Sequence, residues 1–395
     1  LGLQAMRASL DAALDDAMLD RLRSLFEMVN DLSDNPTSAD ISRERLRLAR
    51  RLAPLDRRLV LEAEIEFALA ILNEGETAQA RVILERVTND LASHAESGDL
   101  LLAKSRSRLA WALFAQGRTP QSLELIDLAI AGYERGSSEA EPALHRARIA
   151  RCKILHSLGR SSEAIKPLQS ASEAMTRLLG ENNVDVLWAR ASVARCLTNL
   201  RRSTEAIAIL EQVMQRLIQL CPEDGDDLQW LRGDLAYAYS ACGRDDQART
   251  LYEANVAICK KQDTADSRHR IFAEEGLAWL TRRSGNLTDS IVHWKYVVHA
   301  LEAKPPTEDV AVELGFARYR LGLTLRDLGQ TQTAAEEFKA AIAIRSRGFP
   351  NGDPHLLEWK LALARCLAMG QQELPRFHAL IAEVLQFSPD SEPGP

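Results

Sequence analysis

Small residues recur along this chain at an almost fixed interval, and this periodicity constrains the fold more than any other feature of the sequence. The steps are 42 residues, except for one step of 44. We name the earlier set the first series; it comprises Ala68, Ala110, Cys152, Ala194, Ala236, Ala278, Gly322 and Ala364. The second series keeps the same interval and comprises Ala80, Ser122, Ala164, Ala206, Ala248, Ser290 and Ala334. Two series in phase indicate an internal structural repeat.

A turn position lies between the two series and keeps the same interval. It is occupied by Gly75, Gly117, Gly159, Gly243, Gly285 and Gly329, with Arg201 in the remaining position. Apolar residues on either side of it follow helical spacing, so each repeat is predicted to be two helices joined by a short turn. Such a turn makes the helices antiparallel, and small residues on both let them approach closely. Glycine at the turn accepts a left-handed backbone.

The single step of 44 places two additional residues between Ser290 and Gly322. This interval contains Pro305 and Pro306, and proline is excluded from a helix interior. The sequence therefore predicts that the insertion lies in a loop between repeats.

These patterns resemble the tetratricopeptide repeat family. The resemblance is carried by Leu-Ala, a glycine seven residues after the alanine and a small residue five beyond it, as in Leu235, Ala236, Gly243 and Ala248. The family period is about 34 residues, and the 42-residue step is similar instead to the kinesin-light-chain subgroup, as are residues 179–186 and, in part, 352–355. The resemblance implies an all-α fold, a right-handed α-solenoid of about eight helix-turn-helix repeats with helical caps.

The same periodicity gives the expected boundaries along the chain. Residues 1–54 are helical but out of phase, so we expect an N-terminal cap or degenerate repeat there. Residues 55–385 are expected to form the eight repeats, and residues 386–395 a disordered tail. The chain begins LGLQAM without an initiator methionine, which favours a piece of a longer protein.

Charge and apolar content narrow the classes of function. The formal net charge of −7 disfavours binding to nucleic acid, which needs a basic face. Apolar stretches fall well short of the roughly 18 residues of a membrane span, so no membrane segment is expected. The six cysteines form no CxxC pair, which is typical of reduced thiols in a cytoplasmic protein.

Signals for catalysis are absent from the sequence. It contains no GxxxxGK[ST], GxGxxG, HExxH or GxSxG motif, and its eight histidines are dispersed. We therefore expect no catalytic residues, no metal site and no cofactor, and the chain is not predicted to be an enzyme.

The resemblance implies that the first helix of each repeat lines a concave groove. Arginine or an aromatic residue recurs at positions flanking the first series, which could clamp carboxylates and stack on apolar groups. The predicted partner-binding groove comprises Arg106, Trp111, Arg148, Lys153, Trp188, Arg190, Arg195, Trp230, Arg232, Tyr237, Trp279, Arg282, Arg318 and Tyr319. A structural alternative stands beside this prediction: the arginines could bridge to acidic residues of neighbouring repeats, and the tryptophans could fill space between helices.

The leading functional hypothesis is a non-catalytic protein- or peptide-binding scaffold whose groove takes an acidic or extended segment of a partner. A second is a regulatory sensor arm that controls an attached or associated kinase, protease or transcription factor. A third, a helical-repeat phosphatase-type enzyme, has no supporting residues. The sequence leaves open the identity of the partner, the oligomeric state and the face that binds.

Overall fold

A computed structural model describes residues 35–52, 57–94, 98–136, 140–262, 267–304, 308–347, 353–369 and 374–385. Within these residues there are 17 helices and no strand, so the prediction of an all-α helical-repeat fold is confirmed. The predictions for residues 1–34 and for the tail at 386–395 lie outside the described residues. The chain divides into two compact units, residues 1–180 (unit 1) and residues 181–395 (unit 2).

Unit 1 contains seven of the described helices. They are α1 (Asn35–Leu52), α2 (Arg57–Asn73), α3 (Thr77–His94), α4 (Leu100–Ala115), α5 (Thr119–Arg135), α6 (Glu141–Ser157) and α7 (Ser161–Leu179). From α2 onward they form pairs, and each pair is one predicted repeat. Helix α1 precedes the first pair, and Pro36 lies in its first turn, where proline is tolerated because that N–H has no partner within the helix.

Unit 2 contains ten described helices, which form five pairs. They are α8 (Val184–Asn199), α9 (Ser203–Leu217), α10 (Asp226–Ala241), α11 (Asp245–Lys261), α12 (Arg268–Arg283), α13 (Leu287–Glu302), α14 (Glu308–Asp327), α15 (Thr331–Arg345), α16 (Pro354–Met369) and α17 (Leu374–Leu385). The even-numbered helix is the first of each pair.

The small residues lie where the two helices of a pair meet. Ala110, Ala278 and both of their serine partners are fully buried. The Ser122 hydroxyl donates a hydrogen bond to the Ala110 carbonyl at 2.7 Å, and the Ser290 hydroxyl does the same to Ala278 at 2.8 Å. The two series are therefore in contact, and a larger side chain at either one would force the helices apart.

Glycine replaces alanine in the first series at Gly322 for a reason visible in its surroundings. A Cβ atom there would lie 2.7 Å from the ring of Phe338, which fills the fully buried centre of the α14–α15 pair. The bulk that the first helix lacks at this position is supplied by the second helix.

The turn prediction is confirmed in detail. All six turn glycines have positive φ angles, between 74° and 93°, and Arg201 adopts the same conformation with φ 64°. Arg201 is the only non-glycine residue with positive φ among the described residues. The repeat geometry therefore imposes the left-handed conformation even where the residue disfavours it.

The predicted location of the two-residue insertion is wrong. Helix α14 has 20 residues, whereas α12, the first helix of the preceding pair, has 16. The additional length extends α14 before Gly322, and the connection from Glu302 to Glu308 is one residue shorter than the preceding one, from Lys261 to Arg268. Proline at residues 305 and 306 is compatible with this arrangement because it precedes the helix and does not interrupt it.

No helix in the part of the chain that the structure describes is both long enough and apolar enough to cross a membrane.

Candidate functional site

Unit 2 contains a cavity of about 880 Å³ along its first helices. Helices α10 and α12 provide most of its wall, with single residues from α11, α13 and α14. The lining consists of Tyr237, Ser240, Ala241, Tyr252, Phe272, Glu275, Gly276, Trp279, Arg282, Arg283, Leu287 and Asp327. Tyr237 and Trp279 are each 41% exposed, which is high for aromatic side chains and makes the cavity accessible from solvent.

On either side of the cavity, side chains from the first helices of successive repeats contact each other and close the wall there. The residue that follows the first series in one repeat meets the residue two positions before the first series in the next repeat. Arg195 forms an ion pair with Asp234 at 2.6 Å in this way, and the guanidinium of Arg320 lies 4.7 Å from the ring centre of Trp279.

Gly276 occupies the equivalent position opposite Tyr237 and has no side chain to make this contact. A Cβ atom at Gly276 would lie 2.3 Å from the ring of Tyr252, so the backbone of α12 packs directly on that ring. The cavity therefore lies where one member of the contact made by the flanking first helices is missing.

Helix α12 presents the chemically distinct groups of the cavity on one face. Glu275, Trp279 and Arg282 follow at spacings of four and three residues, which places them on one side of a helix. At 1.5 Å rise per residue, the seven residues from Glu275 to Arg282 span about 10 Å. A carboxylate, an indole and a guanidinium thus follow one another along the cavity.

The two arginines of the lining are each neutralised within the protein. Arg282 forms an ion pair with Asp327, and Arg283 donates to Asp245 at 2.8 Å. Arg282 and its neighbour Arg326 both donate to Asp327 and lower the pKa of its carboxyl against the opposing effect of burial, which is the larger single influence. These guanidiniums therefore have carboxylate partners before any ligand arrives.

Glu275 differs from the other charged residues of the lining. Within the described residues, its half-buried carboxyl has no hydrogen-bond or ion-pair partner. Burial raises its pKa to about 7, and repulsion from Glu313 on α14 adds to the shift. Near neutral pH the group is close to half ionised.

Other predicted arginines lie against carboxylates and not beside the cavity. Arg318 binds Glu302 and Glu337 on the second helices α13 and α15. In the same way Arg148 pairs with Glu134 on α5 at 2.8 Å. These pairs agree with the structural alternative, in which the recurrent arginines bridge to acidic residues of the protein.

Of the predicted arginines on α8 and α10, two have an ion-pair partner among the described residues and one does not. Arg195 forms an ion pair with Asp234, and Arg190 lies 3.9 Å from Glu181. Arg232 is half-buried, its Nη1 lacks a hydrogen-bond partner, and burial lowers its pKa.

The remaining predicted aromatic residues of unit 2 have structural contacts. The Trp188 indole donates to Asp227 at 2.9 Å, and the Trp230 ring lies 4.7 Å from that of His269. Tyr319 is buried, stacks on Trp359 at 5.2 Å and donates its hydroxyl hydrogen bond to Glu358.

Unit 1 holds the other predicted residues, Arg106, Trp111 and Lys153, besides Arg148. The Lys153 ammonium lies 6.0 Å from the ring centre of Trp111, which also contacts Phe114 at 5.3 Å. Arg106 is half-buried on α4. Of the fourteen predicted residues, the cavity of unit 2 brings together three: Tyr237, Trp279 and Arg282.

Sequence reasoning missed Glu275, Gly276 and Asp327. A signal for Gly276 was present, because glycine in a helix interior costs about 1 kcal/mol relative to alanine and persists where close packing requires it. The position of Gly276, two before the first series, is occupied by charged residues in the neighbouring repeats at Asp234 and Arg320. No comparable signal marked Glu275, since carboxylates are abundant on the outer faces of the helices.

Among the described residues, no three His, Cys, Asp or Glu side chains are grouped so that they could hold a metal ion.

The fold and the cavity define an α-helical repeat protein. Family models described as "Tetratricopeptide repeat" match residues 102–151, 230–261 and 317–347. These three segments are thus tetratricopeptide repeats, in agreement with the resemblance that the spacing of small residues indicated. A search of curated proteins found no match.

Three solved structures are similar to this chain, to different degrees. A Rap protein complexed with competence and sporulation factor has a TM-score of 0.64 at 11% identity, over 93% of this chain and 96% of that protein. The apo form of the quorum sensor NprR from B. thuringiensis has a TM-score of 0.50 at 12% identity, over 84% and 100%. A Podosopora anserina putative kinesin light chain has a TM-score of 0.43 at 23% identity, over 52% and 96%.

Proposed function

We propose that this protein is a protein- or peptide-binding scaffold and that the cavity of unit 2 receives a short segment of the partner. The observation that carries the proposal is the exposure of Tyr237 and Trp279, each 41%, at the mouth of a cavity with a largely apolar and aromatic wall. Exposed aromatic side chains over a concave site favour binding, because covering them releases water from apolar surface.

The size of the cavity supports a short segment. Its volume of about 880 Å³ is within the range of roughly 300–1,000 Å³ that is typical of ligand sites. The face of α12 from Glu275 to Arg282 spans about 10 Å, which corresponds to about three residues of an extended peptide. The Rap protein of similar fold is complexed with competence and sporulation factor, which supports a ligand-binding role for this type of array.

We propose that the partner could place an acidic group at one end of the cavity only, the end lined by Arg282 and Arg283. A carboxylate of the partner would have to compete with Asp327 and Asp245 for them. A regulatory role for the bound segment stays a prediction.

Selection of binding peptides tests the proposal. Random short peptides displayed on phage would be selected on the full chain, and the dissociation constants of the selected peptides would be measured for the wild type, Tyr237→Ala and Trp279→Ala. We expect each substitution to weaken binding about tenfold or more, since buried aromatic anchors dominate binding energy.

Val292→Ala is the matched control, because Val292 is 61% exposed on α13 and outside the cavity lining. It should leave affinity unchanged. Selected peptides that bind Trp279→Ala and Tyr237→Ala as tightly as the wild type would move the binding site away from this cavity.

A further inference from the structure

We propose that the cavity of unit 2 recognises a cationic side chain of its peptide ligand, a guanidinium above all, through the carboxylate of Glu275. This inference rests on the proposed function, because it names the chemistry of the segment that the cavity receives.

The first argument is the balance of charge around the cavity. Its charged lining residues are Glu275, Arg282, Arg283 and Asp327. Both arginines and Asp327 are paired within the protein, whereas Glu275 has no partner among the described residues. A half-buried carboxylate without a partner is unfavourable, and a ligand cation would remove that penalty.

The second argument is the aromatic surface near that carboxylate. Tyr237, Tyr252, Phe272 and Trp279 all contribute to the same wall. Aromatic faces attract cations, and a planar guanidinium can stack on a ring while it donates two parallel hydrogen bonds to a carboxylate. An ammonium can make the first contact but not the paired one, so the wall favours arginine over lysine.

The third argument is that the corresponding contacts on either side of this site are already made within the protein. The carboxylate Asp234 in the preceding repeat is already bound by Arg195, and the Trp279 ring is approached by Arg320 of the following repeat. In both flanking contacts an arginine of the protein provides the cation. At Gly276, which has no side chain, the cation would come from the ligand.

Binding should depend on pH because Glu275 must be ionised. The titratable groups that interact with it are Glu313 from α14 and Tyr252 from α11, and Asp234 and Tyr237 from α10 act in turn on Tyr252. Arg268 lies 3.9 Å from Glu313 and offsets part of its repulsion. The pKa of Glu275, raised to about 7, means that affinity for a guanidinium should increase from pH 6 to pH 8.

Three probes separate the contribution of charge from that of shape: acetyl-Phe-Arg-amide, acetyl-Phe-citrulline-amide and acetyl-Phe-Glu-amide. Citrulline keeps the shape of arginine without its charge. Dissociation constants would be measured with the full chain from NMR shifts of the tryptophan indole N–H signals at pH 6 and pH 8. We expect the arginine probe to bind about tenfold more tightly than the citrulline probe at pH 8, with a smaller preference at pH 6.

Glu275→Gln should abolish this preference and its pH dependence, whereas Glu275→Asp should retain part of both. Glu253→Gln, an exposed carboxylate on α11, is the matched control and should change neither. Circular dichroism of each variant would show that helix content is unchanged.

The outcomes distinguish this inference from the proposed function. Equal affinities for arginine and citrulline probes, both weakened by Trp279→Ala, would overturn the role of Glu275 and leave the peptide site in place. Stronger binding of the glutamate probe would also overturn it and would support an acidic partner at Arg282 and Arg283. Absence of binding by all three probes would contradict the inference and the proposed function together.

Discussion

Arg195 shows that an arginine at a recurrent position of the repeat can have a structural contact within the protein and need not contact a ligand. Its guanidinium donates to both oxygens of Asp234 on the next first helix, at 3.1 and 2.6 Å, and the Asp234 side chain is only 7% exposed. The recurrence of arginine therefore reflects, at this position, a contact between repeats.

Charge reversal at Arg195 should destabilise the protein. Arg195→Glu would place a second carboxylate beside buried Asp234. Loss of a buried pair costs about 3–5 kcal/mol, and we expect the lower end because the Arg195 side chain is 34% exposed. Urea denaturation would measure the loss. Arg202→Glu is the control, because Arg202 pairs with Glu205 on the exposed surface, where ion pairs contribute little. Equal midpoints for the two variants would contradict this assignment.

Gly276 is the residue on which the shape of the cavity depends. In Gly276→Ala the Cβ atom would meet the Tyr252 ring at 2.3 Å, an overpacking cost of about 1–3 kcal/mol that exceeds the helix-propensity gain of about 1 kcal/mol. We expect a net loss of up to about 2 kcal/mol in thermal or urea unfolding, together with weaker peptide binding. Gly315→Ala on α14, where the nearest atom is 3.2 Å away, should be close to neutral. The reverse order of stability would show that the ring of Tyr252 yields without cost.

The sequence predicted part of the site and missed part of it for a physical reason. Tyr237 and Trp279 were identified because they follow the first series, and that position does face the next first helix. Glu275 could not be identified, since its distinction is the absence of a partner, and the partners of a carboxylate depend on which helices pack around it. The recurrent arginines were assigned to the groove for the same reason. Arg318 pairs with Glu302 on α13 and Glu337 on α15, and these partners are visible only in the tertiary structure.

At the scale of the element, the turn between paired helices is the most strongly specified feature. Each turn glycine donates its N–H to a carbonyl three residues earlier, as in Gly243 to Ser240 at 3.2 Å, and Arg201 makes the same bond to Thr198 at 3.0 Å. This shared geometry made the turns predictable from spacing alone. The start of α14 was not predictable in the same way, because the rule that excludes proline from a helix interior does not say how far beyond the prolines the helix extends.

Arg201→Gly should stabilise the α8–α9 pair. A residue with a Cβ atom costs roughly 1–2 kcal/mol in the left-handed region, and glycine loses part of that gain through its larger freedom in the unfolded chain. We expect a net gain of up to about 1 kcal/mol in urea unfolding. The reciprocal control is Gly243→Arg, at φ 77°, which should lose a similar amount. If Arg201→Gly is less stable than the wild type, contacts of the Arg201 side chain must stabilise the protein by more than its left-handed backbone destabilises it.

For the whole molecule, repetition implies that stability is local. Each pair buries its core mainly against its immediate neighbours in sequence, so the free energy of unfolding should behave as a sum of nearest-neighbour contributions and not as one indivisible quantity. The division into two compact units, with the boundary at residue 180, is consistent with such local cooperativity.

Hydrogen exchange can test this locality. Ala206→Leu would insert a large side chain at a fully buried position of the second series, at a cost of about 1–3 kcal/mol. Mass spectrometry of exchange in the full chain should then show the largest loss of protection in α8 and α9, a smaller loss in α10 and α11, and little change in α2 to α5. Ala208→Leu, two residues further along α9 and on its exposed surface, is the control and should leave the whole pattern unchanged. A uniform loss of protection from α2 to α16 would instead mean that the repeats unfold as one cooperative body, and cavity variants such as Gly276→Ala would then report global stability and not the local packing of α12.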